Sequence, residues 1–255
     1  MIGIIGYGNI GKAIAARYKE VVINSPHYKK SIPLEQMLQC SAIFICVPVS
    51  RSVGISIIEP ILKKLNDLAY SGLTVIKSSI PPDLIIYIEK NTELKLVNLP
   101  TFVRKDFVEF DTKNPTMILL GCDENYREKL VDIILHQSDI NFKVEDILYC
   151  TPTEASLYKC IYSAHIAVKI AINNEYCDII KSLGVNWNVL GNILEKHQEI
   201  NSIHWTVPGP DWMVEYQKRT KINQIYKLTD IAKNKNIPTP ILDAVVERNK
   251  KEIQT

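Results

Sequence analysis

Several patterns that would assign a chain quickly to a large class are missing here. The 255 residues include six cysteines, yet no two form a C-x-x-C pair. Cys40, Cys46, Cys122, Cys150, Cys160 and Cys177 sit mostly in apolar runs. That spacing excludes a zinc ribbon and a disulfide framework, and reads as reduced, buried thiols of a cytoplasmic protein. The five histidines are dispersed without an H-x-x-x-H pair, so no metal is expected. A net charge of +2 is close to balance, and no basic stripe alternates with aromatics, so nucleic acid is not an expected partner. No apolar run reaches the roughly 18 residues of a membrane span. The N-terminus reads directly as a strand, so no signal peptide is expected ahead of it. Internal repeats and low-complexity linkers are absent as well.

What is present begins at once. Met1–Ile5 is an apolar strand, Gly6-Tyr7-Gly8-Asn9-Ile10-Gly11 a tight turn, and Lys12–Glu20 a helical stretch. In that order G-x-G-x-x-G acquires a mechanism. Gly6 permits the turn, Gly8 lets the backbone approach a pyrophosphate, and Gly11 lets the helix pack close to the strand. Glycine-rich turns are common in α/β domains, and the flanking strand and helix make this one a dinucleotide cradle.

A βα alternation follows. Val21–Asn24, Ala42–Val47, Leu73–Lys77, Leu94–Leu99 and Thr116–Leu120 read as strands. Ile32–Gln39, Ser52–Tyr70, a segment opened by Pro81-Pro82, and Asp123–Gln137 read as helices. Near-continuous apolar strands between helices predict a Rossmann-type, doubly wound, largely parallel sheet over residues 1–150. Residues 151–255 read as all-helical: a long helix Pro152–Leu183, with Thr151 or Thr153 as N-cap and Gly184 as C-cap, then Asn186–Lys196, Lys218–Lys235 and Pro240–Glu252.

An ordered set of motifs then points to a family. Gly6-Tyr-Gly8 is followed by Lys77-Ser-Ser-Ile-Pro-Pro82 and by Leu99-Pro-Thr-Phe102 with Asn114-Pro115 and Gly121. Thr153-Glu-Ala155 with Lys159, Asn174-Glu175, and Val207-Pro-Gly-Pro-Asp211 complete the series. In this order and spacing the chain resembles the UDP-glucose/GDP-mannose dehydrogenases, especially their compact viral and bacterial forms, over almost its whole length. It stops where the family continues into a third domain that helps bind the nucleotide sugar. The resemblance implies oxidation of a sugar C6 alcohol through two hydride transfers to NAD, with a cysteine trapping the aldehyde.

Carried over position by position, most of that machinery is substituted. Lys159 is kept, five residues after Glu154, to stabilise an alkoxide or act as acid/base; a solvent-facing helix lysine is the plainer alternative. One turn later Ser163 replaces an asparagine, and Ser79 replaces a threonine. Thr101 and Lys105 stand where the family carries glutamates, with Glu109 one turn beyond as a substitute or a solvated carboxylate. After Asp211 an ungapped alignment puts Thr220 at the nucleophilic cysteine, Asn223 at a lysine and Gln224 at an aspartate. A threonine hydroxyl cannot replace a thiolate without a dedicated base, although Cys160 on the long helix is a further thiol.

The ribose end departs too. A site selective for NAD carries an acid after the second strand; here Asn24-Ser25-Pro26-His27-Tyr28-Lys29-Lys30 has none. Asn24, Ser25 and Lys29, with Val47, Pro48 and Ser79 at neighbouring strand ends, join Gly6 to Gly11 as the expected cofactor contacts. NADP is tolerated or preferred, or the site is a relaxed NAD site. The chain is expected to be an NAD- or NADP-binding oxidoreductase limited to a two-electron step on a CH–OH group of a small molecule such as a nucleotide sugar. An inactive dinucleotide-binding sensor or partner subunit is the alternative, and a helper of a transferase or epimerase is a weaker third. The long helix has more apolar surface than one neighbour covers, and the family pairs through it, so a homodimer is expected.

Overall fold

The computed structural model describes residues 1–49, 55–194, 196 and 221–251. In these, the apolar stretches make one seven-stranded sheet of order 2-1-3-4-5-6-7. Its strands are β1 (Ile2–Ile5), β2 (Val21–Asn24), β3 (Ala42–Ile45), β4 (Leu73–Ile76), β5 (Lys95–Asn98), β6 (Leu119–Cys122) and β7 (Leu148–Cys150). β1 to β5 pair in parallel, β6 is antiparallel to β5, and β7 is parallel to β6. The short β7 was not evident in the sequence because Leu148 and Tyr149 are exposed at the sheet's edge.

Side chains alternate across each strand, so each face builds its own core. On one face Ile2, Ile4, Phe44 and Val75 pack with Ile14 of α1 (Asn9–Ala15) and Leu130 of α5 (Arg127–Val131). On the other, Ile5, Ile43, Ile45 and Ile76 meet Ile58 and Leu62 of α2 (Ile55–Asp67) and Ile85 of α3 (Pro82–Asn91). Each such side chain contributes about 1.5–3 kcal/mol on burial. Helices on both faces of a mostly parallel sheet give the doubly wound, Rossmann-like architecture expected from the sequence.

Boundaries shift where turn chemistry overrides periodicity. α1 starts at Asn9, because Lys12 N–H already donates to Gly8 O at 2.9 Å, and it ends at Ala15, after which Arg17 and Tyr18 donate three residues back. The stretch from Asp123 divides into a 3-10 turn (Glu124–Tyr126), α5 and a π turn (Asp132–His136). Residues 34–37 form only a 3-10 turn, and α4 (Val108–Lys113) is an added short helix.

The chain divides into compact units Met1–Tyr158 and Lys159–Thr255. α6 (Pro152–Ser182) begins in the first and continues in the second. Its start is a capping box: Glu154 N–H donates to Thr151 Oγ1 (3.2 Å), and Thr151 N–H donates to Glu154 Oε2 (2.8 Å). Of the two candidate caps, Thr151 is therefore the one used. The end is a Schellman motif, with Gly184 at φ +71° and Val185 N–H donating to Ile180 O at 3.2 Å. Within the first unit, Asn98 Nδ2 donates to Pro152 O (3.0 Å) and Ser156 Oγ to Ile80 O (2.7 Å). In the second unit Ala164, Ala167 and Ile170 pack against Ile225 of α8 (Lys221–Asn234) and Val245 of α9 (Pro240–Lys251). Cys177 packs against Trp187 of α7 (Trp187–Leu194). Among the described residues no helix is long and apolar enough to cross a membrane, and no acidic, His or Cys cluster could hold a metal ion.

Gly121 is the tightest point under the start of α6. A β-carbon there would lie 2.6 Å from Ala155 Cβ and 2.9 Å from Thr151 O. Gly121→Ala is expected to destabilise the protein by about 1–3 kcal/mol, read as a lower midpoint in urea. An unchanged midpoint would show that the helix start yields freely.

Candidate functional site

The strand order reverses between β1 and β3, and the crevice at their carboxyl ends is where doubly wound sheets place ligands. The glycine turn enters it directly. Gly6 has φ +87°, and a β-carbon on it would meet Cys46 O at 2.8 Å and Val47 Cγ1 at 3.2 Å. Gly11 is closer still, since its β-carbon would lie 2.0 Å from Gly6 O. Gly8 is the opposite case, with no atom within 4 Å of a β-carbon built there. Two glycines are thus required by protein packing, whereas the third fronts open space beside the first turn of α1. Tyr7, Asn9 and Ile10 complete the turn, with Ile10 half-buried and Asn9 exposed.

The neighbouring strand ends close around it. Gly6 N–H donates to Asn24 O (2.9 Å), and Tyr7 N–H donates to Ser25 Oγ (3.3 Å). Ser25 is 6% exposed, so its oxygen organises the turn from inside. Asn24 Nδ2 donates to Ile32 O at 2.7 Å, which ties the end of β2 to the far side of its loop. Tyr28 packs against Tyr7 with the rings tilted by 54° and their centroids 4.6 Å apart, and Lys12 Nζ lies 5.8 Å over the Tyr7 ring. Lys29 is exposed in the same loop. At the end of β3, Val47 is buried and Pro48 exposed; Ser78 Oγ donates to Val47 O at 2.7 Å, and the half-buried Ser79 follows. Burial pushes the Cys46 thiol up to about 12, against the opposing pull of Lys77. A pKa that high leaves Cys46 protonated and unreactive near neutral pH.

A small cavity of about 50 Å³ beside this edge is lined in part by Ile10, Lys77, Thr101 and Phe102, which belong to the sequence motifs, and by Arg17, which sequence patterning did not single out. The β5 loop on its rim is fastened by Arg104 to the carboxylate of Asp111. The Arg104 backbone N–H and Nε reach Oδ2 (2.7 and 3.0 Å), and Nη2 reaches Oδ1 (2.5 Å). This pair, seven residues apart, has no periodic signature that would have revealed it. Glu109 is exposed on α4, as a solvated carboxylate would be. The Lys105 side chain lies outside what is described.

The remaining candidates belong to the second unit. Lys159 is half-buried, with Nζ 5.7 Å over the Tyr162 ring. Ser163, one turn along the same face of α6, is 2% exposed. The Cys160 thiol is fully buried and donates to Gln224 Oε1 at 3.1 Å. Gln224, the residue aligned with the family's aspartate, is thus a core amide. Thr220 and Val207–Asp211 lie outside the described residues.

The Arg104 contacts hold the Asp111 carboxyl below its usual range. A depressed carboxyl stabilises the fold above its unfolded value of about 3.9, and that contribution is lost as pH falls through the lower folded value. Asp111→Asn is expected to melt below the parent at neutral pH, with the difference closing below the carboxylate range. Parallel melting curves from neutral to acid pH would contradict it.

No family model matches the chain. The UDP-glucose 6-dehydrogenase of Rickettsia felis is 27% identical over 186 residues, 70% of this chain but 39% of that protein. A UDP-glucose dehydrogenase from the archaeon Pyrobaculum islandicum superposes with TM-score 0.76 at 17% identity, over 98% of this chain and 68% of the other. The 3-hydroxyisobutyrate dehydrogenase of Mycobacterium tuberculosis gives 0.70 at 11% identity, over 98% of this chain and 92% of the other. At these identities the superpositions establish a shared fold. The chain spans less than half the length of the Rickettsia felis protein. Motif order and alignment agree, and the chain is similar over most of its own length to the N-terminal portion of UDP-glucose/GDP-mannose dehydrogenases.

Proposed function

We propose that the chain binds NAD or NADP at the glycine turn and is an atypical oxidoreductase limited to one two-electron step on a CH–OH group. The contrast among the three glycines carries this reading. Gly6 and Gly11 leave no room for a β-carbon, while Gly8 opens on unfilled space at the switch point of the sheet. An ordinary βα turn would not need its middle glycine; a backbone approached by a pyrophosphate does.

The bound dinucleotide would supply the hydride acceptor. By the resemblance, Lys159 would hold the substrate oxygen or take its proton, with Ser163 as hydrogen-bonding partner; Ser79, in the first unit, is a candidate contact by the same resemblance. Thr220 remains a candidate contact only by alignment. Substrates of this class are small hydroxy compounds, a nucleotide sugar among them.

A second reading has its own support. Thr101 and Lys105 in place of glutamates, the exposure of Glu109, and the sequestered Cys160 thiol fit an inactive dinucleotide-binding sensor or partner subunit. For assembly, Ile161 and Ile179 along α6 and Leu183 just past its end are 57%, 60% and 72% exposed, which supports a homodimer. Six free thiols support a cytoplasmic setting.

Absorbance at 340 nm over a panel of hydroxy acids and nucleotide sugars separates the readings. Turnover that falls about 10²–10⁴-fold in Lys159→Ala supports the enzyme; none above background with intact cofactor binding supports the inactive form. For the cradle itself, Gly8→Val is expected to keep the parent melting temperature and lose dinucleotide binding, whereas Gly11→Ala is expected to lower the melting temperature. Unimpaired binding in Gly8→Val would sink the cofactor reading. Light scattering is expected to give twice the 29.0 kDa chain mass, and a monomer at micromolar concentration would remove the dimer.

A further inference from the structure

We propose that the loop following β2 is a 2′-phosphate site, with Lys29 and Lys30 as the phosphate-binding residues, so that the protein prefers NADP to NAD. The proposal rests on the dinucleotide reading of the glycine turn. Its ground is the way the loop is built. Tyr28 N–H donates to Ser25 O (3.1 Å) and Ser31 N–H to Tyr28 O (3.0 Å), which makes two successive turns. Ser25 N–H donates to Ser31 Oγ (2.9 Å) and Ile32 N–H to Ile23 O (2.9 Å), closing the loop on itself. Lys29 and Lys30 are the two corner residues of the second turn, and both are exposed.

This closed loop is fastened to the pyrophosphate cradle. Tyr28, which opens the second turn, packs its ring against Tyr7 of the glycine turn, and Ser25 accepts the Tyr7 N–H. The lysine corner therefore has a fixed place next to the backbone that would hold the cofactor's phosphates. Nothing in residues 24–31 carries negative charge, and neither lysine is in an ion pair among the described residues. Asn24, at the end of β2 where an NAD-selective site has its acid, is neutral, and its amide is oriented by donation to Ile32 O. An acid there would repel a 2′-phosphate and accept ribose hydroxyls; an amide with two adjacent ammonium groups favours the phosphate. Ser25 supports the loop from its buried position and is assigned no phosphate contact.

The test uses the full chain and calorimetric titration with NAD, NADP, 5′-AMP and adenosine 2′,5′-bisphosphate, with inorganic phosphate as the control for a free anion site. NADP and the bisphosphate are expected to bind about tenfold more tightly than NAD and 5′-AMP, through charge-assisted contacts. In Lys29→Ala/Lys30→Ala the advantage of NADP over NAD, and of the bisphosphate over 5′-AMP, should vanish, and Lys29→Arg/Lys30→Arg should restore it. Equal affinities in the parent, an advantage that survives the double alanine variant, or an advantage that inorganic phosphate in large excess fails to erode would each overturn the phosphate site. If neither dinucleotide binds at all, the reading of the glycine turn falls first and takes this proposal with it. NAD binding that ignores both lysines, with no preference for NADP, overturns this proposal alone.

Discussion

The closeness of one helix to one strand governs the first unit. With 2.0 Å between a notional Gly11 β-carbon and the Gly6 carbonyl, α1 can enter the sheet only as glycine. The ends of β2 and β3 then converge on the same turn. Asn24 O accepts from Gly6 N–H, Ser25 Oγ accepts from Tyr7 N–H, and the Cys46 carbonyl lies under Gly6. Each contact is an ordinary hydrogen bond or van der Waals limit. Together they remove the freedom of the loop before any ligand arrives, and preorganisation of that kind lowers the cost of binding.

A second set of restraints fixes the start of α6. The capping box satisfies its first N–H groups, Asn98 and Ser156 tether its first two turns, and Gly121 leaves the backbone no slack. The helix that carries Lys159 and Ser163 therefore begins from a defined point. Its remaining length is held in the second unit by alanines, whose small side chains let α8 and α9 approach.

Much of this was legible in the sequence. Apolar strands of a few residues, a glycine turn in strand–turn–helix context, and a threonine N-cap ahead of a long helix each carry a local physical signal. Less legible were features set by tertiary contact. α1 stopped at Ala15 because Arg17 and Tyr18 tighten into turns that donate three residues back. The helical pattern after Asp123 broke into 3-10, α and π pieces. β7 is too short and too exposed to show alternation, and it extends the sheet only because β6 offers it an edge. At the candidate site the glycines and the missing acid were readable from type and spacing. The Arg104–Asp111 fastening and the Tyr7–Tyr28 ring contact were not, since both join residues with no periodic relation.

The thiols have one more consequence. Cys40, Cys46, Cys122 and Cys150 lie in the first unit and Cys160 and Cys177 in the second, and four of the six are buried. Desolvation raises Cys46 to about 12 and Cys150 to about 11, so alkylating reagents meet little thiolate at these two, while burial shuts reagents away from the other four. Labelling must then wait for local opening. The native cysteines form a set of internal clocks, divided between the two units, that time the breathing of each without a single engineered label.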